Sequence, residues 1–148
     1  MRAALIALSL IATPAFAQQS NWWGGSASGT GYPTNSTPVA SSANGTTGGL
    51  TANLVGVPGK TTFICGFSMT SGGTTTAVAL LATVAGVLGG PLEFAYVAPA
   101  AGTQGRLFVT FAPTCLPASA QNTTIVVTQP AAGVGTTQAA VAAWGYQL

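Results

Sequence analysis

The sequence predicts an all-β protein whose folded part is a single β-sandwich of about seven strands, of jelly-roll or Ig-like topology. Three observations lead to this prediction. From residue 50 onward the chain consists of short apolar runs rich in Val, Thr, Phe and Ile, which are typical of strands. Segments containing Gly and Pro separate these runs at intervals that suit an all-β domain. Several runs also alternate in hydrophobicity with a period of two, as a strand with one buried face does.

Residues 1–17 have the pattern of a signal peptide. Arg2 provides a positive start, residues 3–12 form an apolar stretch, and residues 15–17, Ala-Phe-Ala, end a small-residue cleavage pattern. The apolar stretch is too short for a membrane-spanning helix, which needs about 20 residues. We therefore predict a secreted, periplasmic or cell-surface protein with no transmembrane segment in its mature chain.

Residues 18–49 are predicted to form a flexible, low-complexity arm in front of a sandwich domain that covers residues 50–148. The arm is rich in Gly, Ser, Thr and Asn, and Val39 is its one branched aliphatic residue. Such a segment buries too little apolar surface to offset the entropy of ordering it. Trp22 and Trp23 are unusual in this context. We expect them to dock on the protein's own body or on a neighbouring subunit, with glycan stacking or surface anchoring, or no role at all, as the alternatives.

The predicted strands follow in chain order. One of them is ambiguous, because the apolar run at residues 77–88 also fits a buried helix. Its β-branched residues and the Thr and Gly residues that flank it favour one strand, or two, with a kink near Gly86. The seven predicted strands cover residues 50–57, 61–70, 74–84, 92–98, 106–112, 123–129 and 137–148.

Period-two alternation assigns the side chains of several strands to an inward or an outward face. In the last strand Trp144 and Tyr146 share one face, and we expect this pair to pack into the sandwich or against a neighbouring subunit rather than on a ligand. Ile64 and Phe108 are large apolar residues on faces that are otherwise polar. The residues predicted to face the core are Phe63, Cys65, Phe67 and Met69, then Leu92, Phe94 and Tyr96, then Leu107, Val109 and Phe111.

The chain contains two cysteines, Cys65 and Cys115. An even count in an exported protein favours a disulfide, and two residues allow a single connectivity. Two structural free thiols or a reactive thiol are the alternatives. A metal site would need further ligands, which this sequence does not supply.

Charged residues form 3% of the chain, against roughly a quarter in ordinary soluble domains. They are Arg2, Lys60, Glu93 and Arg106, with no Asp and no His. General acid–base catalysis and paired-carboxylate chemistry are therefore not expected, and we predict no enzyme activity, no cofactor and no metal. So few cations also argue against nucleic-acid binding. Glu93 and Arg106 could face each other if the fourth and fifth predicted strands paired as a hairpin.

Three segments carry a resemblance to a family: KTTFICGFSMT, residues 113–120 with the pattern C-x-P-A-S, and the final AWGYQL. Together they resemble a group of small exported bacterial and phage-associated proteins, over residues 50–148. The resemblance implies a compact β-sandwich of virion-decoration or fibre type, with the two cysteines bridged and no catalytic residues.

These observations favour a non-enzymatic, exported structural or interaction protein of surface-coat, fibre or virion-decoration type. Sheet edges without charged residues invite strand addition, so we expect a homo-oligomer or a surface assembly. The alternative is a secreted carbohydrate-binding or adhesive module that uses exposed aromatic side chains. The aromatic residues available for such contacts are Trp22, Trp23, Tyr32, Trp144 and Tyr146.

Overall fold

A computed structural model describes residues 32–46, 49–72, 75–100, 103–111, 113–133, 135 and 138–148. The predicted signal peptide, most of the predicted arm, and both Trp22 and Trp23 lie outside these residues. The described residues form strands, turns and irregular segments. None of them forms a helix with the length and apolar character needed to cross a membrane.

The described part of the chain contains nine β-strands. All seven strands predicted from the sequence are present, including the one drawn from the ambiguous apolar run. That strand ends at Ala85, immediately before Gly86, which has a positive φ of 82°. The strands are β1 (Thr37–Gly45), β2 (Leu50–Leu54), β3 (Thr62–Gly72), β4 (Val78–Ala85), β5 (Leu92–Ala98), β6 (Gln104–Thr110), β7 (Leu116–Pro117), β8 (Ile125–Gln129) and β9 (Gln138–Gln147).

Strand β1 corrects the predicted arm, because it lies inside the segment that we expected to be flexible. All nine of its residues pair with β9, from Thr37 opposite Gln147 to Gly45 opposite Ala139. Its Val39 side chain also packs against the core. The segment offers few apolar side chains for burial, but β1 gains its order from the backbone ladder to β9. The sandwich therefore begins by residue 37 and not at residue 50.

The strands form two antiparallel sheets packed face to face as a β-sandwich. One sheet has the order β1-β9-β3-β6, with β7 paired to β3, and the other has the order β2-β8-β4-β5. Thus β1 pairs with β9, β2 with β8, β3 with β6, and β4 with β5. The chain is folded like one long hairpin that has been rolled up, which is the topology of a jelly roll. This topology decides between the two alternatives that the sequence left open.

The inner faces of the two sheets supply the core. The inward faces predicted for β5 and β6 are confirmed, since their large side chains are either buried or packed against the buried cluster. The prediction for β3 is wrong at its start. The pairing of β3 with β9 shifts register between Ile64 and Gly66, so Cys65 is an extra residue in a β-bulge. The bulge reverses the alternation, which buries Ile64 and turns Phe63 outward.

Two buried glutamines link the sheets to each other. Gln129 at the end of β8 donates a hydrogen bond from Nε2 to the carbonyl oxygen of Thr70, 3.0 Å away in the other sheet. Gln147 at the end of β9 donates from Nε2 to the carbonyl oxygen of Val55, 2.7 Å away beyond β2. The same nitrogen donates to Thr62 Oγ1 at 3.1 Å. Because Thr62 and Thr70 stand near opposite ends of β3, the two amides tie the sandwich together at both ends.

We expect Gly145→Ala to lower the free energy of unfolding by more than about 2 kcal/mol, because overpacking has this order of cost. Gly145 lies so close to β3 that a Cβ atom would overlap the carbonyl oxygen of Phe63. Urea unfolding followed by circular dichroism measures the change. Gly45→Ala in edge strand β1 is the matched control, since its Cβ would meet only the flexible end of Leu50, at 3.1 Å. Equal losses in both variants would contradict this account of Gly145.

Candidate functional site

The outer face of the five-stranded sheet carries most of the aromatic residues that the sequence singled out. Along β9, Val141 and Ala143 belong to the core, so the alternate residues point away from it. Trp144 and Tyr146 therefore share one face, as predicted, and this face is the outer one. Two groups of side chains cover this face. The aromatic cluster consists of Tyr32, Phe63, Phe108, Trp144 and Tyr146, and the polar trough consists of Ser42, Asn44, Ser68 and Thr70 above Ala140 and Ala142.

Tyr146 is packed within its own chain. Its ring stacks on Phe63, with ring centroids 4.8 Å apart and an interplanar angle of 14°. The ring of Tyr32 also contacts Tyr146, at 5.6 Å. As a result Tyr146 is only 8% exposed. Its aromatic surface is used in packing rather than offered to a ligand, and the bulge that turns Phe63 outward creates this contact.

Trp144 and Phe108 form the more accessible end of the aromatic cluster. Their ring centroids are 5.5 Å apart, and the two planes are inclined by 31°. The indole lies over Gly66, where an added Cβ would come within 2.6 Å of Trp144 Cζ2. Phe108 remains 50% exposed. The guanidinium of Arg106 lies 5.3 Å from the centroid of the Phe108 ring, the distance of a cation–π contact.

The polar trough is a shallow depression of about 290 Å³ that crosses β1, β9 and β3. In the strand register Ser42 and Ser68 flank Ala142, and Asn44 and Thr70 flank Ala140. The alanines make the middle of the trough low, because they are shorter than the side chains beside them. Two strand spacings place the opposite walls about 10 Å apart. The trough therefore presents hydroxyl and amide groups on both sides of a small apolar surface.

The two cysteines lie at the bulge of β3, where Cys65 is fully buried. Cys65 and Cys115 form the predicted disulfide, with their Cα atoms 4.3 Å apart. The bond joins the bulge of β3 to the segment just before β7. The amide of Phe111 also donates a hydrogen bond to the carbonyl oxygen of Cys65, at 2.9 Å. The bulge is thus held by both a covalent and a hydrogen bond.

The charged residues that the structure describes, Lys60, Glu93 and Arg106, lie on different elements of the fold. Glu93 and Arg106 do not belong to a hairpin, because β5 and β6 lie in different sheets. Lys60 Nζ donates a hydrogen bond to Thr37 Oγ1 at 2.9 Å. Within the described ranges, no three His, Cys, Asp or Glu residues come together as metal ligands. The outer face can therefore offer stacking, hydroxyl and amide hydrogen bonds, and the positive charge of Arg106.

Sequence reasoning missed several residues of this face. Phe108 has a local signal, because alternation in β6 marks it as an apolar exception on a polar face, but this pattern alone does not indicate a function. The four polar residues of the trough come from β1 and β3, and no local pattern connects them. Trp22 and Trp23, which we grouped with Trp144 and Tyr146 as possible contact residues, lie outside the described residues. Comparison of the chain with protein-family models, with curated proteins and with solved structures found no match.

Ionisation of the packed tyrosines should destabilise the protein at alkaline pH. Burial raises the pKa of Tyr146 above its ordinary value near 10, so the folded state favours the neutral phenol. This contribution to stability is complete below pH 10 and is lost as the pH rises through the higher folded-state pKa. We expect Tyr146→Phe to lose less stability than the wild type between pH 9 and pH 11, in urea unfolding curves.

Tyr32→Phe serves as a companion variant, because burial also raises the pKa of Tyr32. It should flatten the pH profile in the same direction. Profiles of both variants that run parallel to the wild type would show that neither phenol contributes to the alkaline loss.

We expect the double variant Cys65→Ala, Cys115→Ala to lose up to about 4 kcal/mol of unfolding free energy. The bond spans 50 residues, and a loop of this length restricts the unfolded chain strongly. Chemical denaturation of the oxidised wild type, the reduced wild type and the double variant makes the comparison. The reduced wild type and the double variant should have the same free energy of unfolding. A double variant as stable as the oxidised wild type would show that the disulfide does not contribute to stability.

Proposed function

We propose that this protein is a non-enzymatic, exported structural protein that assembles with copies of itself, as a surface coat, fibre or virion decoration does. The observation that carries the proposal is an exposed apolar patch on the outer face of the four-stranded sheet. In the register of β4 and β5, Ala79 lies opposite Val97 and Leu81 opposite Ala95. Leu81 is 54% exposed and Val97 is 58% exposed. We call these four residues the assembly patch.

The chemistry of the assembly patch supports association with a second copy. Removing apolar surface from water is favourable by roughly 25 cal/mol per Å². The patch reaches β5, which is an edge strand of its sheet. Glu93 is the one charged residue of β5. Because charged residues are so rare in the whole chain, two copies that approach through this face meet little electrostatic repulsion.

The remaining parts of the proposal rest on the sequence and the disulfide. The signal-peptide pattern and the bonded cysteines favour secretion to the periplasm, the cell surface or the medium. One acidic side chain and no histidine favour a role without acid–base chemistry. The jelly-roll topology itself is shared by capsid and lectin domains, so it does not choose among functions.

The test is the mass of the mature protein in solution, measured by light scattering after size-exclusion chromatography. We expect the wild type to be an oligomer and Leu81→Glu to weaken self-association by at least about tenfold, which is about 1.4 kcal/mol. Circular dichroism verifies that the variant is folded.

Thr51→Glu is the matched control, because Thr51 is exposed on β2 at the opposite edge of the same sheet. This variant adds the same charge to the same face and should leave the mass unchanged. A monomeric wild type across the accessible concentrations would overturn the proposal of self-assembly. An oligomer that survives Leu81→Glu would overturn the assignment of the interface to the assembly patch.

A further inference from the structure

The outer face of the five-stranded sheet has a different chemistry from the assembly patch. The polar trough is lined by uncharged hydrogen-bonding groups instead of aliphatic side chains. Ser42 and Asn44 are exposed on β1, and Ser68 and Thr70 are half-buried on β3. Hydroxyl groups both donate and accept hydrogen bonds, and an amide presents two donors and an acceptor. We propose that the trough, together with Trp144 and Phe108, is a binding site for a saccharide.

The trough combines polar walls with an apolar floor, and a sugar ring combines a polar rim with apolar faces. A pyranose carries hydroxyl groups around its rim and C–H groups on its faces. Above Ala140 and Ala142, the ring would contact a small apolar surface, while its rim would meet hydrogen-bonding groups from both walls. The volume of about 290 Å³ is just below the lower limit of the range for ligand pockets, about 300–1,000 Å³. The site therefore has room for one or two sugar units.

The aromatic side chains extend this site along the sheet. Trp144 follows Ala142 on the same face of β9, and Phe108 lies opposite Ser68 in the register of β6 and β3. Aromatic rings supply large apolar area, and Phe108 keeps half of its surface exposed. A second sugar unit in contact with the exposed part of Phe108 would continue the contact that begins in the trough.

Arg106 gives the site a charge preference. It lies opposite Thr70 in the register of β6 and β3, so it stands at the margin of the trough. Its guanidinium is held against Phe108 and has N–H donors suited to a carboxylate. The single acidic side chain of the protein, Glu93, belongs to the other sheet. A sugar that carries a carboxylate, such as a uronic acid, should therefore bind more tightly than a neutral one.

The site is tested with the mature full-length protein and two probes, a uronic-acid tetrasaccharide and a neutral hexose tetrasaccharide. Titration up to about 10 mM, followed by NMR and calorimetry, covers the weak affinities that such a shallow site would give. We expect the uronic-acid probe to bind and to shift the amide signals of the trough strands. Thr70→Val and Phe108→Ala should each weaken binding by at least about tenfold.

Thr128→Val is the matched control, because Thr128 is a half-buried threonine in β8, an inner strand of the other sheet. It should bind like the wild type. Arg106→Gln should reduce the affinity for the uronic-acid probe to that for the neutral probe. Equal affinity of the wild type for both probes would overturn the preference assigned to Arg106. Failure of both probes to bind, or binding that survives both Thr70→Val and Phe108→Ala, would overturn the saccharide site.

The proposed saccharide site is independent of the proposed self-assembly, since the two surfaces lie on different sheets. Leu81→Glu should change the mass of the protein in solution and leave saccharide affinity unchanged. Thr70→Val should change the affinity and leave the mass unchanged. A saccharide affinity that falls with Leu81→Glu would show that the site needs a second subunit, which contradicts its assignment to one chain.

Discussion

The position of β9 is the constraint on which the five-stranded sheet depends. It is paired with β1 on one side and β3 on the other, so it joins strands that are far apart in the sequence. Its inner residues, such as Val141, enter the core, and its Gln147 amide ties the sheet to the segment after β2. Gly145 allows the closest approach to β3. The order of β1 follows from β9, because a polar segment with few aliphatic residues gains its backbone hydrogen bonds there.

The bulge at Cys65 has a second long-range effect. An extra residue in β3 exchanges the two faces of the strand, so Ile64 enters the core and Phe63 reaches the outer surface. Phe63 there provides the partner on which Tyr146 stacks. The disulfide to Cys115 and the hydrogen bond from Phe111 hold the backbone at this point. A local irregularity of one residue thus decides that Phe63 meets Tyr146 on the outer face.

The scarcity of charge gives the two outer faces their separate characters. With four charged side chains in the whole sequence, most of the exposed surface consists of uncharged polar groups or of apolar groups. Strands β4 and β5 expose the apolar kind at the assembly patch, and strands β1, β9 and β3 expose the polar kind at the trough. The first suits contact with another apolar surface, and the second suits a ligand rich in hydroxyl groups. The self-assembly and the saccharide binding that we propose would therefore use different faces of the sandwich.

The sequence by itself determined the all-β class, the seven main strands and the pairing of Cys65 with Cys115, because alternation, turn residues and cysteine count are local or compositional properties. It could not determine β1, since the order of that strand comes from pairing with β9 almost one hundred residues later. Nor could it reveal the bulge that reverses β3, or the meeting of Ser42 with Ser68 across β9. These features depend on strand register between distant segments. Register is fixed by the packing of the two sheets, and only the tertiary structure decided it.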